Sequence, residues 1–196
     1  MLASITPLGE RGRQSHWGVT MSAFVLGATA AGAVAGAVLG AAGGLVLGGA
    51  LGARERLAAL TAALVVAVAL DVLPAAVPGP RRQVNERWLD QFRGWVYGLG
   101  FGAQLGVGVT TIVSSAATYV ALLAAFLTGD PSRGALVLGC YGAVRGLTPL
   151  LAAHVRRPQQ LVALHRRLAR WRGPAARASV ASLAAVTVLA AAGSIA

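Results

Sequence analysis

Three stretches of this chain carry no Asp, Glu, Lys or Arg: residues 14–53, 94–129 and 178–196. About 20 apolar residues of helix cross the hydrocarbon core of a bilayer, and each stretch is long enough for that. Soluble domains carry about 25% charged residues. Here the charged share is 12%, the hydrophobic share 56% and the mean hydropathy +0.68. In hydrocarbon an unpaired amide finds no water, so a helix that satisfies its own backbone is strongly favoured. The expected fold is all-α: a polytopic transmembrane helix bundle forming a single integral membrane domain over residues 1–196.

Within the first stretch, "GAVAGAVLGAAGGLVLGGALG" (32–52) places Gly32, Gly36, Gly40, Gly44, Gly48 and Gly52 at every fourth position. In water each glycine would weaken a helix by about 1 kcal/mol relative to Ala. In lipid that penalty largely disappears, because unravelling would leave amides unpaired. Four-residue spacing keeps these glycines near one face, a groove into which a neighbouring backbone can come close. Gly94, Gly98, Gly102 and Gly106 repeat the spacing. Such glycine-zipper faces suit another helix of the chain, a protein partner or a second copy.

The remaining bulk features exclude more than they assign. All 17 basic residues are Arg and the formal net charge is +11. In a membrane chain arginines mark cytoplasmic loops first, so no nucleic-acid partner is expected. The single cysteine, Cys140, cannot form an internal disulfide. "MLASITPLGERGRQSHWG" lacks the apolar core and cleavage site of an ordinary signal peptide. No phosphate loop, metal-ligand pair or nucleophile elbow is present. No catalytic residue, metal or cofactor is therefore expected, and the chain is not read as an enzyme.

Spans are expected at 20–52, 57–73, 95–128, 134–155 and 178–195. "PAAVPGP" closes the second with three prolines. The first and third uncharged stretches exceed one perpendicular crossing, so each must tilt, break or continue into the interface. With five spans, the N-terminus, the 78–93 loop and the 155–177 loop share one side and hold 13 arginines. The opposite side holds three: Arg54, Arg56 and Arg133. Arginine excess marks the cytoplasmic side, which predicts a multi-pass plasma (inner) membrane protein with a cytoplasmic N-terminus and an external C-terminus.

Two connecting segments, 81–93 and 158–172, read as helices on the membrane surface. Val84, Trp88, Phe92 and Trp95 recur at helical spacing in the first. In the second, Leu161, Leu164, Leu168 and Trp171 form a stripe against Arg166, Arg167, Arg170 and Arg172. Basic amphipathic helices of this kind lie at headgroup level, which makes membrane lipids partners and leaves partner docking as a lesser role.

Polar groups inside the spans supply the candidate site, because intramembrane charges are costly and usually face a bundle interior or cavity. Asp71 falls late in the second span and Arg145 within the fourth, flanked by Tyr141. In the expected topology both lie at similar depth, where they could form an ion pair or line a substrate or proton site. "GVGVTTIVSS" (106–115) mixes glycine, β-branched residues and hydroxyls halfway through an overlong span. These hydroxyls either bond within a continuous helix or satisfy carbonyls freed at a break, and broken helices are where many transporters bind substrate. Asp71, Thr110, Thr111, Tyr141 and Arg145 are therefore the candidate substrate-binding residues.

The order of these segments resembles the transmembrane domain of the cytochrome c biogenesis thiol-reductant transporters of the CcdA/DsbD type. "SITPLGE" (4–10) resembles the family's first cysteine motif, and "SAFVLGATAAGAVAGAVLGA" (22–41) the span after it. "GVTTIV" (108–113) stands where the second motif opens the inverted half, and "GALVLGCYGAVRGLTPLLA" (134–152) looks like the following span. The resemblance implies two inverted halves. The family's two redox positions hold Leu8 and Ile112 here, and Cys140 matches neither. Thiol–disulfide exchange needs a thiolate attacking a disulfide, so the chain is expected to lack that chemistry. Five spans stand where the family has six. The expectation is a transporter of a small solute or ion, with a non-transporting membrane subunit or scaffold for a partner protein as the alternative.

Overall fold

The computed structural model describes residues 5–73, 88–110, 113 and 115–195, and among these all regular structure is helical. The elements are α1 (Pro7–Gly12), α2 (Trp17–Leu47), α3 (Ala53–Val72), α4 (Trp88–Gln91), α5 (Gly94–Val107), α6 (Ala117–Leu127), α7 (Pro131–Gly146) and α8 (Pro158–Ile195). A 3-10 turn, Thr148–Ala152, follows α7. Trp17–Leu47, Pro131–Ala152 and Pro158–Gly193 are long and apolar enough to cross a membrane.

The bundle is built around α2, whose glycines let two neighbours approach to backbone contact. A Cβ added at Gly36 would fall on the carbonyl oxygen of Gly134, and one at Gly40 on that of Asp130. Gly32 meets Leu138 in the same way and Gly44 meets Gly129. Gly48 stands outside the series: it takes a φ of +45° and ends α2, a conformation that favours glycine. Gly52 instead precedes α3 as its N-cap residue. Four of the six regularly spaced glycines therefore face a neighbouring backbone. Gly27 and Gly43, outside that series, do the same against Leu99 and Phe126.

The same contacts fix direction. Gly98, Gly102 and Gly106 of α5 meet the carbonyls of Thr20, Phe24 and Ala28, ascending together, so α5 runs parallel to the first half of α2. Phe126 near the end of α6 meets Gly43, so α6 continues the same way. On α7, Gly134, Leu138 and Gly142 meet Gly36, Gly32 and Ala28 in turn, which makes it antiparallel. The 94–129 stretch is thus one broken path along α2, not a hairpin. Its break follows Gly106, beside Ala28, near the middle of α2.

Several expected boundaries shift. The first helix covers 17–47 rather than 20–52, and the second covers 53–72. The third span, expected over 95–128, is interrupted after Val107 and resumes at Ala117. The fourth ends as a 3-10 turn at Ala152. Residues 158–172 and 178–195, read as separate elements, form one 38-residue helix with Pro174 inside it. At 1.5 Å per residue α8 is about 57 Å long. Of the 81–93 segment, residues 81–87 lie outside the described residues, and Trp88–Gln91 makes a single turn.

Two apolar clusters close one end of the bundle. Ile5, Phe24, Tyr97 and Phe101 pack with Trp17, Trp88, Leu89 and Leu105. Trp88 stacks on Phe101 at 6.0 Å, so this partly buried tryptophan packs against the core cluster. Ala152, Val155 and Leu164 pack with Leu8, Leu161 and Leu168. Of the stripe expected to meet lipid, Leu161, Leu164 and Leu168 therefore pack on protein, the first and last only partly buried, while Trp171 stays exposed.

Candidate functional site

The α5–α6 interruption starts with Gly108, whose φ of +88° ends α5 in a conformation L side chains rarely adopt. Helices α5 and α6 span 14 and 11 residues, too short for either to cross alone. Two polar constellations gather around the gap, on different neighbouring helices.

The first comes from α3. Asp71 Oδ2 accepts a hydrogen bond from Ser115 Oγ at 2.7 Å, and Oδ1 accepts from the Ala116 amide at 2.9 Å. Ser115 Oγ in turn accepts from the Ala117 amide at 3.1 Å. A carboxylate thus satisfies donors at the start of α6, where the helix dipole favours negative charge. At the other end of α6, Arg56 Nη1 donates to the carbonyls of Leu127 at 3.4 Å and Thr128 at 3.2 Å. Helix α3 therefore runs antiparallel to α6 and sets an acid at its positive end and a base at its negative end. Asp71 stands out in the sequence as a charge within an apolar segment, whereas Arg56 reads there as an ordinary loop arginine.

The second constellation comes from α7. Arg145 Nη1 donates to the Tyr141 hydroxyl at 3.1 Å and to the Gly108 carbonyl at 3.4 Å. The guanidinium lies 5.4 Å from the Tyr141 ring centroid, close enough for a cation–π contribution. Tyr141 and the buried Thr118 share a hydrogen bond of 2.7 Å between their hydroxyls. Arg145 therefore satisfies a carbonyl freed at the break, while Nε and Nη2 hold no hydrogen bond among the described residues. Thr110 is exposed, and its hydroxyl donates to the Gln104 carbonyl, six residues back in the last turn of α5. Thr111 lies outside the described residues.

Tyr141 and Arg145 are thus brought together at the break, joined by Thr118, which the sequence reading did not select. Asp71 reaches the same break from α3 but forms no ion pair with Arg145. Its partners are the hydroxyl and amides at the start of α6. Cys140, the residue beside Tyr141, is exposed on α7 with a free thiol. Leu8, at the first redox position of the resembled family, packs in the Val155 cluster and its amide donates to the Val155 carbonyl at 3.1 Å.

A further polar cluster sits where no motif in the sequence marks it. Glu10 is 0% exposed. Its carboxylate accepts from Tyr97 Oη at 2.6 Å, Thr20 Oγ1 at 2.7 Å and Arg13 Nη1 at 3.0 Å. In "TPLGERGR" this glutamate reads as one more solvated charge. Only the fold shows α1 inserted between the starts of α2 and α5. Among the described residues, no group of three or more His, Cys, Asp or Glu side chains could hold a metal ion. Comparison of the chain with protein-family models, curated proteins and solved structures gives no match.

Proposed function

We propose that the chain is a multi-pass transport protein of the plasma (inner) membrane that moves a small solute or ion past the α5–α6 break. The observation that carries this reading is the interruption at Gly108, opposite the middle of α2, with Arg145, Tyr141 and Thr118 gathered on it. An interrupted helix exposes backbone groups and side chains that a continuous one would keep to itself, and transporters bind substrate at such interruptions. The Arg145 guanidinium, with donors to spare, suits an anionic group on the solute.

Five crossings follow, through α2, α3, the α5–α6 path, α7 with its 3-10 turn, and α8. The arginine imbalance between the two ends puts the N-terminus in the cytoplasm and the C-terminus outside. The CcdA/DsbD resemblance enters as architecture, two inverted halves, without thiol chemistry: Leu8 and Ile112 stand at the redox positions and Cys140 is one thiol alone.

A non-transporting subunit or scaffold is the second reading. It is favoured by the way Asp71, Arg56 and Tyr141 all hold the bundle together through hydrogen bonds. Water access at the break separates the two. Thr110→Cys in a Cys140→Ala background should react with a membrane-impermeant thiosulfonate in oriented vesicles, and Arg145→Gln should alter that rate. A position inert from both faces would favour the scaffold.

A further inference from the structure

From Pro131 to the end of the chain there is no acidic residue, against nine arginines. Seven of them, Arg156, Arg157, Arg166, Arg167, Arg170, Arg172 and Arg177, are exposed at or just before the first half of α8. A basic helix can find its counter-charge by lying on an anionic membrane, but only if its apolar face enters the lipid. Here the three leucines of the stripe, Leu161, Leu164 and Leu168, pack with Ala152, Val155 and Leu8, which leaves Trp171 as its one exposed member.

Continuity argues the same way. Helix α8 runs unbroken from Pro158 to Ile195, and its C-terminal half lies along α3, with Gly193 beside Leu57. If residues 178–195 cross the bilayer, the headgroup layer adds only about 5–8 Å on each side. Arg170 stands about 10 Å along the axis beyond Arg177, and Arg166 about 16 Å. With α8 running straight past Pro174, that crossing would hold their charges in the aqueous phase, above the plane of the lipid phosphates.

We propose that this first half of α8 is a docking arm for an acidic segment of a soluble partner protein. The face it offers carries Gln159, Val162, Arg166 and Arg170 at helical spacing, with Trp171, 58% exposed, beside it. Two cations and an exposed aromatic fit an extended or helical peptide that carries several carboxylates and an apolar anchor. Opposite charges steer such an encounter and set its register. The inference needs α8 to cross the membrane and does not need anything to be transported.

The test uses the full chain in nanodiscs of equal phosphatidylcholine and phosphatidylglycerol, with Cys140→Ala as background. A spin label on Gln159→Cys should be reached by a water-soluble nickel complex and shielded from lipid-dissolved oxygen, while a label on Leu189→Cys should show the reverse. A fluorescent poly-glutamate peptide should bind, about tenfold more weakly to the Arg166→Gln/Arg170→Gln pair at moderate salt. The Arg54→Gln/Arg133→Gln pair, at the other end of the bundle, should bind it unchanged. A Gln159 label at lipid depth would overturn the arm in favour of a membrane-surface helix. Absent peptide binding, equal loss in both pairs, or tighter binding of a single-stranded oligonucleotide of matched charge would overturn the protein partner. A Leu189 label outside the lipid would overturn the crossing itself, leaving the break and its transport reading to their own experiment.

Discussion

Asp71 has specific partners at the start of α6, and its removal has a calculable cost. Asp71→Ala deletes two charge-assisted hydrogen bonds, to Ser115 Oγ at 2.7 Å and the Ala116 amide at 2.9 Å. It also removes the negative charge from the N-terminus of α6. Losing a capping side chain costs about 0.5–2 kcal/mol, and a hydrogen bond to a charged group contributes about 1.5–3 kcal/mol when buried. The carboxylate is partly exposed, so these figures are discounted to a combined loss of about 2–3 kcal/mol. For a chain of this size that is a fall in Tm of about 5–10 °C. Asp71→Asn keeps one acceptor and should lose about 1 kcal/mol. Double-mutant cycles in detergent, read by thermal unfolding, identify the partner. Asp71→Ala with Ser115→Ala should fall short of additivity by about 1 kcal/mol, whereas Asp71→Ala with Arg145→Gln should add within about 0.5 kcal/mol. Strong coupling to Arg145 with additivity at Ser115 would refute the capping geometry and restore a direct Asp71–Arg145 pair.

Three other substitutions probe separate parts of the bundle. Gly40→Leu puts a branched side chain onto the Asp130 carbonyl and should cost at least the 1–3 kcal/mol typical of overpacking, roughly; Val38→Leu, at a site 63% exposed, should leave thermal stability in detergent nearly unchanged. Glu10→Leu removes the shared, fully buried acceptor of Tyr97, Thr20 and Arg13 and should cost about 3–5 kcal/mol by the same thermal assay. Cys140→Ala should leave in-cell function intact, since an exposed lone thiol can run no disulfide cycle; a loss matching gene deletion would show a role for that cysteine.

Much of the architecture was legible because hydrocarbon imposes simple rules. Charge-free length located the helices, and glycine spacing identified the faces of α2 and α5 that pack. It could not say where the register stops, because Gly48 and Gly52 look the same in sequence as Gly36. Only the turn between α2 and α3, with φ of +45° at Gly48, distinguishes them. The break in the third stretch falls within "GVGVTTIVSS", where glycine and hydroxyls weaken a helix locally, but the same residues also fit a continuous helix with intrahelical hydroxyl bonds. Its stabilising partners were not, because Arg56 and Thr118 are ordinary residues whose roles depend on helices meeting 71 and 23 residues apart in sequence. Glu10 was illegible for the same reason. The basic helix at 158–172 was seen, but not its continuity: Pro174 suggested a boundary, and proline inside a helix removes one hydrogen bond without forcing the chain to stop.

The proposed transport path requires residues 94–129 to cross the membrane once, as a broken helix parallel to α2. Thiol labelling in intact cells tests it most directly, with Gln91→Cys and Ser132→Cys made separately in the Cys140→Ala background. Both positions are exposed, one just before α5 and one at the start of α7. An impermeant maleimide should reach Ser132→Cys from outside and Gln91→Cys only after the membrane is opened, consistent with the arginine balance. Reaction of both positions from the same face would mean that the stretch doubles back, and the parallel α5–α6 path would be wrong.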